Sequence, residues 1–427
     1  MPDYKKKRIT RFKPAPRRKR ALPTDEDIKM TPADKRRKKS EKPEKTPEMP
    51  LRVVNGKKLE RRRKTGMFFS VALIIALILT VFQLVLPAGI TENTENLISL
   101  IGKGSYPISL ESTETQSAVS RGSYYYVLTD TRLNAFANGG KEIYSHSHGF
   151  EIHVMKTSST RALVFDQGGN EAYIYNLHEL KSSINSDAEI INAAVSDSGV
   201  YSVVTRSESY ASVVTVYSKR GKKIYTWYSS ADTVNNVAVA PNGKKIAVST
   251  FNSTNGKFVS KICILNFDSA NPISSVDVEG GPVITLNSFH RTGFIAATEN
   301  KLYFINWSGK NNTEYKNDYT LSRLSAGTGG TVAVFNREND RADHRIVLFG
   351  TNGQLKKEFE FKGTVGDIAV SGGHIYCISD TEVFLYGSDG KLLRKAECGF
   401  GGVKIAPLGR THAAVITDNR IDKIKFE

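Results

Sequence analysis

Cysteine is scarce in this sequence, with only Cys263, Cys377 and Cys398 among 427 residues. Their spacing is too wide for a disulfide framework, and it includes no Cys-x-x-Cys pair of the kind that holds structural zinc. We therefore expect three buried thiols, because unpaired cysteine behaves as a small apolar side chain. A single disulfide between Cys377 and Cys398 is the alternative.

The short motifs of common catalytic and nucleotide-binding sites are also missing. The sequence has no phosphate-binding loop, no dinucleotide-binding glycine pattern, no Gly-x-Ser-x-Gly and no His-Glu-x-x-His. We accordingly predict no catalytic residues, no cofactor-binding residues and no cofactor, and the sequence favours a protein that is not an enzyme.

Long apolar runs are absent with one exception, the 20 residues from Met67 to Leu86. That length allows a helix to cross about 30 Å of hydrocarbon. Arg61, Arg62, Arg63 and Lys64 directly precede the run and predict a cytoplasmic N-terminus with the following domain outside the cell membrane. A signal peptide cleaved near Ala88 is the alternative, but the run and the segment before it are both too long for one.

Positive charge is concentrated before the apolar run. Residues 1 to 66 contain 25 Lys and Arg against 9 Asp and Glu, whereas the remaining chain contains 35 against 34. This proline-rich tail has no apolar face, so we predict disorder and contact with anionic lipid. A nucleic-acid partner is unfavoured, because only Tyr4 and Phe12 could stack on bases. A cytoplasmic protein partner is the remaining alternative.

The rest of the chain repeats one pattern, in which an apolar run, a Ser, Asn or Gly turn and a β-rich run follow one another. The turn centres recur at intervals of 36 to 49 residues. A period near 40 to 45 residues with period-2 alternation is typical of propeller blades and not of helical repeats. The eight copies are Ala118 to Thr129, His153 to Phe165, Ala194 to Thr205, Ala238 to Thr250, Asn287 to Thr298, Ser322 to Phe335, Ile368 to Ser379 and Ile405 to Thr417.

A second hairpin lies between several of these copies, with Asn-Gly, Asp-Gly or Arg-Gly at its turn. Examples are Val213 to Trp227 and Val383 to Glu397. Two hairpins per repeat predict four strands per blade, and eight repeats predict eight blades, with seven as the alternative. The last repeat is one strand short, so we expect Ser105 to Ser112 to supply its outer strand and close the ring.

Through these repeats the segment from Ser105 to Glu427 resembles the β-propeller superfamily. It lacks the Trp-Asp endings of WD40 repeats, and Trp227 and Trp307 do not form the docking motif of quinone-dependent dehydrogenases. The layout of basic tail, single span and exported propeller resembles a bacterial family of unknown function, which implies a fold and a topology but no functional residues. The predicted domains are a tail (1–66), a signal-anchor helix (67–86), a linker (87–104) and an extracytoplasmic propeller (105–427).

Three nearby histidines form the best metal candidate. His146 and His148 alternate along one segment, with His153 close behind, so two imidazoles could converge. No carboxylate or cysteine is fixed beside them by the spacing. We therefore predict exposed loop histidines and no metal site.

Propellers usually bind at the face formed by the loops from second to third strand and from blade to blade, which is an expectation from the fold alone. The longest such loops are predicted at Phe251 to Val259 and Asn336 to His344. Arginine and tyrosine combine contact area with directional hydrogen bonds, which suits a binding surface. The candidate binding residues are Asp166, Asn170, Arg206, Glu208, Tyr210, Arg337, Glu338, Asp340 and Arg341.

The sequence thus predicts an all-β protein that acts as a membrane-tethered, extracytoplasmic interaction or scaffold module for a protein or a cell-envelope polymer. One alternative is a propeller-type enzyme, such as a hydrolase, a lyase or a quinone-dependent oxidoreductase. Another is a sensor that couples an external ligand to the cytoplasmic tail.

Overall fold

The computed structural model describes residues 95 to 427 apart from 290, 291, 311, 338 and 339, together with Ser70 and Leu73. The predicted tail and span therefore lie outside the described residues, except for those two positions. Within the described part of the chain, no helix is both long enough and apolar enough to cross a membrane. Residues 95 to 99 form one helical turn, and every strand lies in the compact unit Leu79–Glu427.

The described residues of this unit form thirty-two strands in eight antiparallel four-stranded sheets, which are the blades of a propeller. The short strand β1 (Ile108–Ser109) precedes blade 1. Blade 1 consists of β2 (Thr115–Ser120), β3 (Tyr124–Thr129), β4 (Arg132–Ala137) and β5 (Glu142–Ser147). Blade 2 consists of β6 (His153–Thr157), β7 (Ala162–Asp166), β8 (Glu171–Tyr175) and β9 (Leu180–Asn185). Blade 3 consists of β10 (Ile190–Val195), β11 (Tyr201–Thr205), β12 (Ser212–Tyr217) and β13 (Lys223–Ser229).

The next three blades follow the same order along the chain. Blade 4 consists of β14 (Thr233–Val239), β15 (Lys245–Thr254), β16 (Lys257–Asn266) and β17 (Ser274–Val278). Blade 5 consists of β18 (Thr285–Phe289), β19 (Gly293–Ala297), β20 (Lys301–Asn306) and β21 (Thr313–Lys316). Blade 6 consists of β22 (Thr320–Gly327), β23 (Gly330–Arg337), β24 (Asp340–Phe349) and β25 (Leu355–Lys362).

The last two blades complete the ring. Blade 7 consists of β26 (Asp367–Ser371), β27 (His374–Ser379), β28 (Glu382–Tyr386) and β29 (Leu392–Glu397), and the last strands are β30 (Lys404–Pro407), β31 (His412–Ile416) and β32 (Arg420–Lys425). Blade 8 joins both ends of the domain in the order β1-β32-β31-β30. The prediction of eight four-stranded blades is confirmed, and the seven-bladed alternative is wrong.

We name the strands of each blade A to D from the centre outwards, since the first strands of neighbouring blades contact one another around the centre. Antiparallel order places the connections from B to C and from one blade to the next at one end of the ring, the BC/DA end. The connections from A to B and from C to D lie at the other end, the AB/CD end. Each predicted repeat is an A-B hairpin.

The core lies between the blades, because side chains alternate between the two faces of each sheet. Between blades 4 and 5, for example, Ile262 and Ile264 pack with Phe294, Ile305 and Trp307. The rings of Phe294 and Trp307 have centroids 4.9 Å apart. Eight such clusters of buried residues link the blades around the ring.

The ring closes as predicted, because β1 takes the outer position of blade 8. Ile108 pairs with Ile421 and Ser109 with Arg420. Leu110 follows, donates its backbone N–H to the Asn419 carbonyl at 2.7 Å, and is buried among residues of blades 1 and 8. The first strand of the domain thus pairs with its last strand.

The two long loops predicted at the binding face are instead extensions of B-C hairpins. In blade 4, β15 and β16 stay paired from Phe251 and Ser260 to the turn at Asn255 and Gly256. Both turn residues have positive φ, 52° and 73°, which matches the Asn-Gly preference of a tight hairpin turn. Residues 336 to 344 of blade 6 likewise belong largely to β23 and β24. Continuous β-pairing satisfies backbone groups that a loop would leave to water.

Candidate binding face

The two ends of the propeller differ strongly in charge. In the described BC/DA connections there are thirteen acidic residues and one basic residue, Arg206. Eleven of the thirteen are exposed, and Asp130 and Asp232 are half-buried. The acidic residues are Glu111, Glu114, Asp130, Glu151, Asp187, Glu189, Glu208, Asp232, Glu279, Glu299, Asp318, Asp380 and Asp418. This end therefore carries a negative potential that favours cationic ligands.

The AB/CD end has the opposite balance. Its described connections contain ten basic residues and five acidic residues, including the C-terminal Glu427. The basic residues are Arg121, Lys141, Arg161, Lys219, Arg220, Lys222, Lys244, Lys310, Lys391 and Arg410. The near-neutral total charge of the domain therefore conceals a separation of charge between its two ends.

Two tyrosines form an exposed aromatic pair at the BC/DA end of blade 3. Tyr210 lies in the B-C connection and Tyr228 near the end of β13, with ring centroids 4.7 Å apart. Their exposed fractions are 42% and 54%. The Ser207 hydroxyl accepts the backbone N–H groups of Ser209 at 3.2 Å and Tyr210 at 3.3 Å, which fixes the local turn. The pair offers apolar area beside the acidic groups.

The blade 4 hairpin extends this apolar surface. Asn252 donates its side-chain N–H to the Asp232 carboxylate at 3.0 Å, which ties the hairpin to the connection that leaves blade 3. Val259 is the cross-strand partner of Asn252 and so shares its side of the hairpin, facing blade 3. Phe258 lies on the other side of the hairpin. Val259 is 45% exposed and Phe258 is 63% exposed. We call Tyr210, Tyr228 and Val259 the apolar patch.

The predicted residues of blades 2 and 3 all lie at this end. Arg206 is exposed and its Nε lies 3.0 Å from an oxygen of Glu189, and Glu208 is exposed nearby in the same connection. Asp166 and Asn170 instead organise the loops. Asp166 accepts the Ile152 backbone N–H at 2.9 Å, and the Asn170 side chain donates to the Ser186 carbonyl at 2.8 Å.

The predicted residues of blade 6 lie at the same end but three blades further along the ring. Arg337 is exposed and lies 3.1 Å from an oxygen of Asp343. Glu338 is outside the described residues, and so are the side chains of Asp340 and Arg341, which belong to β24. The eight candidates that the structure describes therefore share one end of the ring without forming one compact site.

The three histidines of the metal candidate are not exposed loop residues, so that part of the prediction is wrong. His148 is buried, and His146 and His153 are half-buried. His146 Nδ1 lies 3.0 Å from the Tyr175 hydroxyl, and His148 Nε2 lies 3.1 Å from the Thr129 carbonyl. These rings belong to an aromatic cluster, in which the His148 and His153 centroids are 5.1 Å apart.

A different group brings metal-ligand types together. Among the described residues, Glu95, His178 and Glu179 form the one set of three whose ligand atoms all lie within 4.8 Å. Asn96 is hydrogen bonded to His178 Nδ1 at 3.0 Å, and Lys181 pairs with Glu179. These contacts already form a polar junction between the N-terminal segment and blade 2.

The cysteines agree with the thiol prediction in large part. All three are free, Cys263 and Cys377 are buried, and Cys398 is half-buried. The proposed disulfide between Cys377 and Cys398 does not form. Burial raises the pKa of the Cys377 thiol to about 12, so this group stays protonated at neutral pH.

The buried histidine makes the stability of the propeller sensitive to mild acid. Burial lowers the pKa of His148 below its ordinary value of 6.5, with the Thr129 carbonyl opposing that effect. The unfolded chain therefore binds more protons than the folded chain as pH falls through about 6.5, so stability falls with it. We expect thermal unfolding temperatures to decrease from about pH 7.5 to 5.5, and His148→Gln to reduce that decrease. An unchanged slope in the variant would contradict this role for His148.

The architecture defines the protein as an eight-bladed β-propeller. It belongs to DUF5711, described as a family of unknown function, whose model matches residues 103–426. The resemblance to the β-propeller superfamily and to a family of unknown function is thus confirmed. No curated protein sequence matches the chain.

Several solved structures share the fold at low sequence identity. The Dos1 propeller is similar with a TM-score of 0.51 and 10% identity, over 77% of this chain and 96% of that one. The computationally designed Ika8 protein has a TM-score of 0.50 and 11% identity, over 74% of this chain and 98% of that one. BamB from Moraxella catarrhalis has a TM-score of 0.47 and 10% identity, over 76% of this chain and 100% of that one. At such identities these likenesses concern the fold alone.

Proposed function

We propose that this protein is a membrane-tethered, extracytoplasmic interaction module that binds a basic protein partner at the BC/DA end of its propeller. The observation that carries the proposal is the combination of thirteen acidic residues and an exposed apolar patch at that end. Protein interfaces combine an apolar, aromatic centre with a polar rim, and complementary charge speeds association.

The tether rests on the sequence before the propeller. Met67 to Leu86 is long enough to span a bilayer, and Arg61 to Lys64 favours a cytoplasmic N-terminus by the positive-inside rule. On this proposal residues 1 to 66 are a cytoplasmic tail near anionic lipid, 87 to 104 are a linker, and 105 to 427 are the exported domain.

The charge of the BC/DA end selects among the partner classes expected from the sequence. An anionic envelope polymer would meet thirteen carboxylates and a single arginine there, so repulsion would oppose its binding. A protein surface with lysine and arginine around an aliphatic centre complements both the charge and the apolar patch. A basic protein is therefore the partner that we propose.

Removing the aromatic pair should weaken capture of that partner. Buried aromatic anchors often contribute about 2 kcal/mol or more to binding, which is roughly a thirtyfold change in affinity. We expect Tyr210→Ser with Tyr228→Ser to reduce recovery of proteins crosslinked to the full-length chain in intact cells by about tenfold or more.

The matched control is Leu355→Ser with Leu392→Ser, at two similarly exposed positions at the AB/CD end. Both variants should nearly retain the unfolding temperature of the parent, because all four side chains lie at the surface with about half of their area exposed. Undiminished recovery with the tyrosine variant, together with loss in the leucine variant, would contradict the proposed binding end.

A further inference from the structure

The segment that leads into the propeller is fixed against the AB/CD end of blades 1 and 2. Lys141 donates from Nζ to the carbonyls of Ser99 at 2.8 Å and Ile101 at 2.6 Å. Leu100 packs against the hydrophobic cluster shared by these blades, and Asn96 contacts His178. The chain therefore enters the domain at its basic end.

Glycine is required where this segment passes the C-D turn of blade 1. A Cβ atom placed on Gly104 would lie 2.0 Å from the Lys141 backbone nitrogen and 2.1 Å from the Gly140 carbonyl carbon. The two backbones are thus in direct contact. The docked position of the segment is part of the fold and not a loose tether.

Three apolar side chains of the same segment are largely exposed. Leu97, Ile98 and Ile101 are 64%, 65% and 72% exposed, whereas Leu100 between them is packed inward. Other exposed aliphatic residues lie at or beside the starts of D strands at the same end, namely Ile224, Ile273, Leu355, Leu392 and Leu393. Exposed apolar side chains beside basic residues are typical of a surface that enters a lipid interface.

The preceding sequence indicates which lipid surface this is. The apolar run ends at Leu86, and only eight residues separate it from Glu95. Eight extended residues reach at most about 28 Å, so a chain anchored by this run keeps Glu95 close to the bilayer. Seven of the ten basic residues of the AB/CD end are exposed, which suits a lipid surface that carries anionic headgroups.

We propose that Leu97, Ile98 and Ile101 insert into the headgroup region of the membrane that anchors the chain, with the AB/CD end facing the lipid. This inference rests on the proposed tether and adds an orientation to it. The acidic BC/DA end then points away from the membrane, where a soluble or neighbouring partner can reach it.

A fluorophore at each end of the propeller tests this orientation. An environment-sensitive NBD label is attached at Ile98→Cys or at Phe400→Cys, each in the full-length chain with Cys398→Ser. Cys263 and Cys377 are buried and so resist labelling. Phe400 is 91% exposed and lies at the BC/DA end, which makes it the matched control. The chains are reconstituted into liposomes that contain phosphatidylglycerol, and only the fraction that floats with lipid is measured.

We expect the label at position 98 to shift its emission to the blue and to be quenched by spin-labelled lipid, while the label at position 400 remains water-like. Adding Leu97→Ser and Ile101→Ser should reverse the shift at position 98. A floating chain with a water-like label at 98, or with lipid-like labels at both positions, overturns this inference alone. A chain that fails to float overturns the tether, and the orientation with it.

Discussion

Replacing Leu110 with alanine is expected to destabilise the propeller by about 2–5 kcal/mol, the usual range for truncating a buried leucine. Leu110 is 8% exposed and packs with Tyr125, Phe136 and Ile421 from blades 1 and 8. Because β1 contributes only two paired residues to blade 8, its attachment depends strongly on the neighbouring Leu110 side chain. We therefore expect a large effect.

Hydrogen bonds at the same junction join blade 8 to blade 1. Thr115 donates its hydroxyl to the Thr417 carbonyl at 3.0 Å, and the Ser112 hydroxyl donates to the Asp418 carbonyl. Loss of the Leu110 side chain therefore weakens the point at which the two ends of the domain meet. An opened ring would leave β32 as an unpaired sheet edge, which favours association between chains.

Thermal unfolding and hydrogen exchange measure this prediction together. The Leu110→Ala variant should lose exchange protection first in β32, whereas Val332→Ala, a buried residue of blade 6, should destabilise the domain without preferentially exposing β32. Ser109→Ala, at an exposed position of β1, should change little. Equal protection of β32 in the Leu110 and Val332 variants would show that β1 does not control closure.

Reversing acidic charge at the BC/DA end should slow association with the partner by about tenfold or more at low salt, because electrostatic steering commonly raises association rates by 10 to 1,000-fold. We choose Asp187→Lys with Glu208→Lys, since both residues are exposed and lie in connections at the BC/DA end of blade 3. The Glu189 pair with Arg206 and the Asp232 bond to Asn252 are left intact.

The control reverses charge at the opposite end of the same blade, with Lys219→Glu and Lys222→Glu. Each double variant changes the net charge by four units in opposite directions. The salt dependence of the association rate should weaken only in the Asp187 and Glu208 variant. Equal effects from both double variants would indicate a response to total charge and not to one end.

The architecture was predictable because each repeat is marked by local sequence features. Turns such as Asn242-Gly243 require a positive φ, and the observed φ of Gly243 is 67°. The eight A-B hairpins and the closing segment before blade 1 all follow from such turns and from period-2 alternation. The number of blades and the closure of the ring can therefore be predicted from local patterns in the sequence.

The features of the BC/DA end were predictable only in part. Arg206, Glu208 and Tyr210 were found because they occupy a single connection, but Tyr228, Phe258 and Val259 lie within strands and come close to that end through pairing. The negative charge of the BC/DA end was not predicted, because its acidic residues are spread along the sequence with no more than two in any connection. Counting charge separately in the B-C and A-B connections of each repeat would have exposed it.

The burial of the three histidines was not predicted, for a related reason. Alternation along β5 predicts that His146 points to the opposite side of the strand from the residues next to it. Sequence does not show that the side chains of Tyr173 and Tyr175 in the next blade enclose it. Contacts between blades join residues about 30 positions apart, so the burial of a single polar side chain depends on packing that no local pattern encodes.

Position-specific photocrosslinking on blade 3 in intact cells tests the proposed function most directly. A photoreactive residue is placed at Glu208 or at Lys219, which lie at opposite ends of the same blade in the full-length chain. We predict a discrete adduct with a basic protein from position 208 and none with that protein from position 219. An adduct with the same protein from position 219 alone would contradict the account.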